Sequence, residues 1–353
     1  MTKSVSLFLC LISSSLLFSQ LGPGGVGATD GTSSLKIWYL SSTGVNTTGS
    51  LINSIQNRAG ITALNISETG TQRPTLVTNA VNGFPEISFS GSNRLRTGLT
   101  LTTTNFVTNQ ASSFIVVRAD NNTQTSSVYT TDPLVGSTRF SNHIPWNRNV
   151  YYDIGTCCGT TARIQVNSVA GLNNYSFWSY DAHPSSGKQL YRNGSLLQNR
   201  AGSSSYTSHA SHRFNIGANT SGTSGFVGDV TEVIIFNAKI NSAQRIIVEN
   251  YLAAKYGLSS TDNDIYDEDN AANGHFDFDV AGIGRIDASN IHNDAQGTGV
   301  VRMLNPGGLN DDEFLLWGHD GSDLTTTTTT DIPSQVASRL ERIWRVSEAD
   351  TSG

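Results

Sequence analysis

An all-β chain closed by one helix is the fold class this sequence predicts, and three observations carry it. Only 14% of the 353 residues are charged and 37% are hydrophobic. Ser, Thr, Asn and Gly dominate the remainder, a composition that suits many turns between short strands. From Leu35 to about Ile240 apolar runs of strand length recur, each bounded by Gly, Pro, Asn, Asp or Ser, which is the spacing of a sandwich or barrel. One stretch, "GFVGDVTEVIIFNAKINSAQRIIVENYLAAKYGL" from Gly225 to Leu258, changes halfway from strand alternation to a helical repeat. The length leaves room for two domains.

Residues 1–20 read as a secretory signal peptide. Lys3 precedes an apolar stretch from Val5 to Phe18, followed by the small residue Ser19. A membrane anchor needs about 20 apolar residues, and this core is shorter and broken by Ser13 to Ser15. The expected product is therefore secreted or held at the cell surface, with no integral membrane segment in the mature chain. Cys10 leaves with the signal, so only the adjacent Cys157 and Cys158 remain. They can build no long-range framework, but they can close on each other as a vicinal disulfide.

The strand candidates are "LKIWYL", "PEISFSG", "SSFIVVRAD", "NVYYDIG", "ARIQV", "YSFWSYD", "KQLYRNG", "HRFNIGA" and "GDVTEVIIF". The segment from Tyr175 turns at Pro184 to Gly187 and again at Asn193-Gly194, a pair that tolerates the positive φ of a two-residue hairpin. After "NAKINS", Asn241 is placed to cap a helix, with Gln244 three residues on to reach back and Gly257 to end it. Ala243, Ile246, Ile247, Asn250, Tyr251 and Ala254 then share one face, so the helix is expected to close the sandwich with one side and to end a domain over 35–258. An acidic, loop-like segment follows, then more strands: "HFDFDVAGIG", "TGVVRML", "DEFLLWGHDG" and "RLERIWRVSE". These make a smaller β-domain over 259–353 that reads as incomplete after "RVSEAD", with further domains of the same chain expected beyond it.

Four stretches, "QRPTLVTNAVNGFPEISFSG", "HIPWNRNVYYDIG", "KQLYRNGSLL" and the strand-helix unit ending at Leu258, resemble a laminin G/concanavalin A-like jelly-roll domain of secreted Bacteroidota surface proteins. "DVAGIGRIDAS", "DEFLLWGHDG" and "RLERIWRVSE" resemble the poorly characterised β-domain that accompanies it. The resemblance implies a β-sandwich jelly roll in an extracellular multi-domain protein.

Few residues suggest chemistry. Retaining glucanases on such folds need two carboxylates about 5–5.5 Å apart, yet between Leu35 and Ile240 no acids sit two apart on one strand face. His209 and His212 supply only two of the three ligands catalytic zinc needs. The other histidines come with no Gly-x-Ser-x-Gly elbow, and "GIGR" lacks the further glycine of a dinucleotide loop. No cofactor is required. Calcium is the one candidate ion, through Asp262, Asp264, Asp267 and Asp269, because oxygen-rich loops suit it.

Trp146, Trp178 and Tyr180 are the candidate binding residues, able to offer flat rings to a sugar. Alternation puts Trp178 and Tyr180 on one side of a strand, where aromatic residues more often fill a core. The net charge of -6 without a Lys/Arg run argues against nucleic acid. The expected function is a non-catalytic binding or adhesion module for a glycan or extracellular protein. A glycan-active enzyme or its carbohydrate-binding arm, and a structural spacer, are the alternatives.

Overall fold

The computed structural model describes residues 20–136, 138–159, 161–218 and 224–350. The expected signal peptide, including Cys10 but not its last residue, lies outside them. Every strand pair with a stated register is antiparallel, and the pairs between residues 35 and 236 trace two sheets. The inner sheet runs Thr75–Val81, then Phe84–Ser90 together with Leu35–Leu40, then Val227–Phe236, Ala111–Ala119, Ser176–His183, Gly187–Arg192 and Ser195–Arg200. The outer sheet runs Val45–Thr48, Leu51–Ile55, Ile66–Ser67, Arg94–Arg96, Arg213–Gly217, Tyr129–Asp132, Arg139–Trp146, Asn149–Gly155 and Arg163–Val166. This is a jelly-roll sandwich, filled by residues that alternate inward from both sheets, such as Ile115, Trp178 and Val233 against Tyr129, Tyr152 and Phe214. The hairpin at Asn193-Gly194 forms as its sequence demands, with φ of 49° and 82°.

The helix Ser242–Tyr256 is capped as read. The Asn241 side chain accepts from Gln244 N at 3.0 Å, its backbone N donates to Gln244 Oε1 at 3.2 Å, and Gly257 ends the helix in the left-handed region at φ 59°. Its burial differs from expectation. All six residues of the anticipated apolar face are buried, but so are Arg245, Glu249 and Lys255 on other sides. The reason is a further layer. One flank of the helix meets the outer surface of the inner sheet, at Trp38, Phe114, Phe177, Ile234 and Phe236, in an apolar cluster that continues into Val280, Phe314 and Leu316. The last three belong to a four-stranded sheet of Asn290–His292, Phe278–Asp287, Glu313–His319 and Trp344–Ala349. The layers stack as sheet, sheet, helix, sheet. The apolar cluster crosses residue 258 without a break, so the helix seals two units rather than ending one.

Two buried ion pairs sit inside this stack, each with its hydrogen bonds supplied locally, as burial requires. The Glu232 carboxylate, fully buried, accepts from Trp38 Nε1 at 2.7 Å, Lys255 Nζ at 2.8 Å, Tyr256 OH at 2.8 Å and Tyr251 OH at 3.0 Å. Arg245 donates to Glu249 at 2.6 Å and lies 4.0 Å over the Tyr191 ring, while Ser179 Oγ donates to the other Glu249 oxygen at 2.7 Å.

The start of the described chain is woven into the C-terminal sheet. Gly24 bridges Ala281, and Gln20 O accepts from Gln296 N at 3.1 Å and Gly297 N at 2.9 Å. His292 Nε2 donates to Gly25 O at 3.0 Å.

Candidate functional site

With the helix covering the inner sheet, the outer face of the other sheet is open to loops and carries a cleft of its own. On Arg139–Trp146 the residues Phe140 and Ile144 point into the core, so Arg139, Ser141 and His143 point outward. By the same alternation Tyr151 and Asp153 point outward beside core residues Tyr152 and Ile154, and Arg163 beside Ile164. Simple alternation would send Trp146 inward with Ile144. The pairing instead slips between His143 and Trp146, and such a bulge re-aims a side chain. Trp146 turns out against His143, their rings edge to face with centroids 5.2 Å apart.

The result is a cleft of about 340 Å³ lined by Leu134, Arg139, His143, Trp146, Cys158 and Arg163. Asp153 lies beneath it with no exposed side-chain surface. Arg163 Nε and a terminal nitrogen each donate to it at 2.7 Å, and Arg139 approaches at 3.8 Å. Burial alone would raise the Asp153 carboxyl, but the Arg163 and His143 contacts outweigh it and hold the group well below the ordinary carboxylate range. Arg163 also lies 4.4 Å over the Tyr151 ring. Arg139 Nε is buried and has no hydrogen-bond partner among the described residues. Cys157 and Cys158 are joined as a vicinal disulfide, with Cys158 on the cleft wall and Cys157 Sγ 3.7 Å from Arg163.

Ser127, His143 and Asp153 stand in line, with Ser127 Oγ 3.0 Å from His143 Nδ1 and Asp153 Oδ2 3.5 Å from Nε2. This does not make Ser127 a nucleophile. Nδ1 also lies 3.1 Å from the Ser126 carbonyl, which only accepts, so Nδ1 carries a hydrogen and has no lone pair to take a proton from Ser127. Ser127 is itself only 2% exposed.

Of the aromatic residues expected to bind, the structure places Trp146 in the cleft and corrects the other two. Trp178 and Tyr180 are 1% and 0% exposed, inside the sandwich core, where Tyr180 stacks on Tyr152 at 4.7 Å. Their strand is central in the inner sheet, so the shared face they occupy is the packed one. Neither can meet a ligand. Trp146 and Cys158 line the same cleft, the two cysteines lying in the turn between Asn149–Gly155, the strand paired with Arg139–Trp146, and Arg163–Val166.

Among the described residues no three His, Cys, Asp or Glu side chains are grouped to hold a metal ion, those of Asp262, Asp264, Asp267 and Asp269 included. Asn250 explains the segment's path: its Oδ1 accepts from Ile265 N at 2.9 Å and Tyr266 N at 3.0 Å, and its Nδ2 donates to Asn263 O at 2.9 Å. Burial, then the neighbouring Asp264, push the Asp269 carboxyl up to about 6.

A smaller cavity of about 190 Å³ lies where sandwich, helix and C-terminal sheet meet, bordered by Trp38, Phe84, Tyr251, Lys255 and Asp279. Two of its ionic groups are engaged, Lys255 with Glu232 at 2.8 Å and Asp279 with His319 at 2.9 Å, and Arg58 lines it as well.

Residues 244–353 match a family described as a domain of unknown function (DUF8202). That is less than a third of the chain, beginning inside the helix. No curated protein matches. Among solved structures the chain is similar to domain 4 of AbnA, a GH43 extracellular arabinanase from Geobacillus stearothermophilus in complex with arabinotriose. The identity is 14% and the TM-score 0.43, over 61% of this chain and 97% of that one. It is also similar to the binding domain of Paraclostridial Mosquitocidal Protein 1, at 11% identity and TM-score 0.44 over 64% and 55%. A third is the binding domain of botulinum neurotoxin DC in complex with rat synaptotagmin II, at 13% identity and TM-score 0.45 over 91% and 72%. No helix among the described residues is long and apolar enough to cross a membrane.

Proposed function

We propose that this chain is a non-catalytic binding module, displayed at the cell surface or secreted, that contacts glycans through the Trp146 cleft. The observation that carries the reading is the bulge that turns a tryptophan out of the core and sets it beside two guanidiniums. An aromatic face stacks on the apolar face of a sugar ring while fixed donors at its edge take the ring oxygens. Both Asp153 oxygens are held by Arg163, which suits an orienting role better than acid-base work. The resemblance to surface proteins of Bacteroidota points the same way. Individual contacts of this kind are weak and gain strength from repetition along a chain or surface.

A glycan array probed with the chain and with Trp146→Ala tests this. Binding to a defined set of glycans that Trp146→Ala abolishes, with thermal stability kept, is the expected result. Turnover of a bound glycan, or binding indifferent to Trp146→Ala, overturns the reading.

A further inference from the structure

The acidic balance of the whole chain hides a local excess of the opposite sign. On the outer face just described, two guanidiniums share one carboxylate twice over. In the cleft Arg163 and Arg139 face Asp153 at 2.7 and 3.8 Å. Toward the other edge of the same sheet Arg94 and Arg96 face Glu68 at 2.6 and 3.4 Å. There a second depression, of about 230 Å³, is lined by Glu68, Arg96 and Arg213. Alternation places these side chains on one face: Arg94 and Arg96 flank the core residue Leu95, and Arg213 precedes the core residue Phe214. The strands Tyr129–Asp132 and Arg213–Gly217 lie between Arg139–Trp146 and Arg94–Arg96, so the two depressions are about 14 Å apart at the usual strand spacing of about 4.8 Å.

By formal count Asp153 cancels one of Arg139 and Arg163, while Glu68 and Asp132, the residue opposite Arg213, cancel two of Arg94, Arg96 and Arg213, so each depression keeps one positive charge. Burial counts here, because a charge in a partly desolvated wall is screened less than one in open solvent. Arg139 adds a directional argument: its Nε is buried without an acceptor from the described chain, and a buried donor left unmade is costly. An anionic oxygen arriving in the cleft meets that donor and the unmatched charge at once.

We propose that the glycan taken by this face is acidic, a polymer carrying carboxylates such as a polyuronate. One sugar stacks on Trp146 with its carboxylate at Arg139, and a carboxylate further along the polymer sits at Arg96 and Arg213. This inference rests on the glycan reading above and narrows its ligand class. A nucleic acid is the less suitable polyanion, because most of these guanidiniums are already paired and the Tyr151 ring on this face is already covered by Arg163.

The experiment is calorimetric titration of the whole chain with oligogalacturonate, with the same oligomer fully methyl-esterified, and with a neutral galactan oligomer. The ester comparison needs no variant, so it survives any folding defect. Free acid is expected to bind at least about tenfold more tightly than ester, with the gap closing as salt rises. Arg139→Gln, which leaves Arg163 on Asp153, and Arg213→Gln are each expected to lower affinity for the acid about tenfold and for the ester by clearly less, with unfolding midpoints kept. Equal binding of acid and ester through Trp146, or tighter binding of a single-stranded oligonucleotide, overturns the acidic assignment and leaves the glycan reading standing or replaced on its own terms. Silence toward every glycan, neutral or acidic, sinks both.

Discussion

Glu232→Gln tests how the layers are joined. The substitution keeps the size of the side chain and removes the charge on which four donors converge: Trp38 Nε1, Tyr251 OH, Lys255 Nζ and Tyr256 OH, between 2.7 and 3.0 Å. An amide offers one accepting oxygen and turns two hydrogens toward groups that also donate. Lys255 is left as a buried ammonium without its counter-charge. Removing one partner of a buried ion pair costs about 3–5 kcal/mol, a large share of the roughly 5–15 kcal/mol that holds a typical domain together. Equilibrium urea unfolding followed by tryptophan fluorescence is the assay, since Trp38 is itself a partner. Lys255→Met alone should cost a similar amount, because it strands the carboxylate. The double variant should recover much of the loss, giving a coupling of at least about 2 kcal/mol. If the two losses simply add, within about 0.5 kcal/mol, Glu232 and Lys255 are not interdependent and the account of the helix as a shared, charge-matched layer fails.

Three further outcomes are expected. His292 is held down to about 4 by burial against an ordinary value of 6.5. Between those values the unfolded chain binds the extra proton, so its contribution to stability falls as pH drops from about 6.5 to 4, by about 3 kcal/mol. Asp229, raised by burial to about 6, works in the opposite direction from about 6 downward. The quantity to measure is therefore the difference in pH dependence between the natural chain and His292→Asn, and parallel curves would refute the assignment. Asn250→Ala should cost about 2 kcal/mol, two buried or half-buried backbone donors losing their acceptor. It should also expose a protease site between residues 259 and 270, read by mass spectrometry of the digest. Trp178→Ala should cost about 3–5 kcal/mol as a core cavity, while Trp146→Ala costs under about 1 kcal/mol; similar losses in thermal melts would refute their assignment to core and cleft.

Local signals were the legible part of this fold. Asn241, Gln244 and Gly257 fix the helix ends through hydrogen bonds that span three or four residues, and Asn193-Gly194 fixes a hairpin by backbone preference alone. The runs around Ile115, Trp178 and Val233 read as strands because their alternation or β-branching is itself a local property. What covers the second side of the helix was not legible, since Arg245, Glu249 and Lys255 look like an ordinary solvated face until partners from other elements are known. The cleft was half legible. Trp146, Cys157 and Cys158 stand out by residue type, but alternation alone would have buried Trp146, and the bulge that turns it outward shows only in the pairing with Asn149. Arg94, Arg96, Arg139, Arg163 and Arg213 form no run in the chain, so a linear search for basic clusters passes over a face that sheet order assembles.

The segment from Gln20 to Ala28 reaches the C-terminal sheet across a separation of 267 residues, measured from Gly25 to His292. A fragment trimmed to 244–353 would forfeit that clasp, leave His292 without its carbonyl, and bare to water the side of the helix that packs on Trp38, Phe114 and Phe236. Heredity and folding thus draw their borders at different places: a stretch recognisable as one sequence family borrows material from the opposite end of the molecule. Any rearrangement that moved the C-terminal portion to a new host would have to bring a substitute for those nine residues or arrive half-dressed.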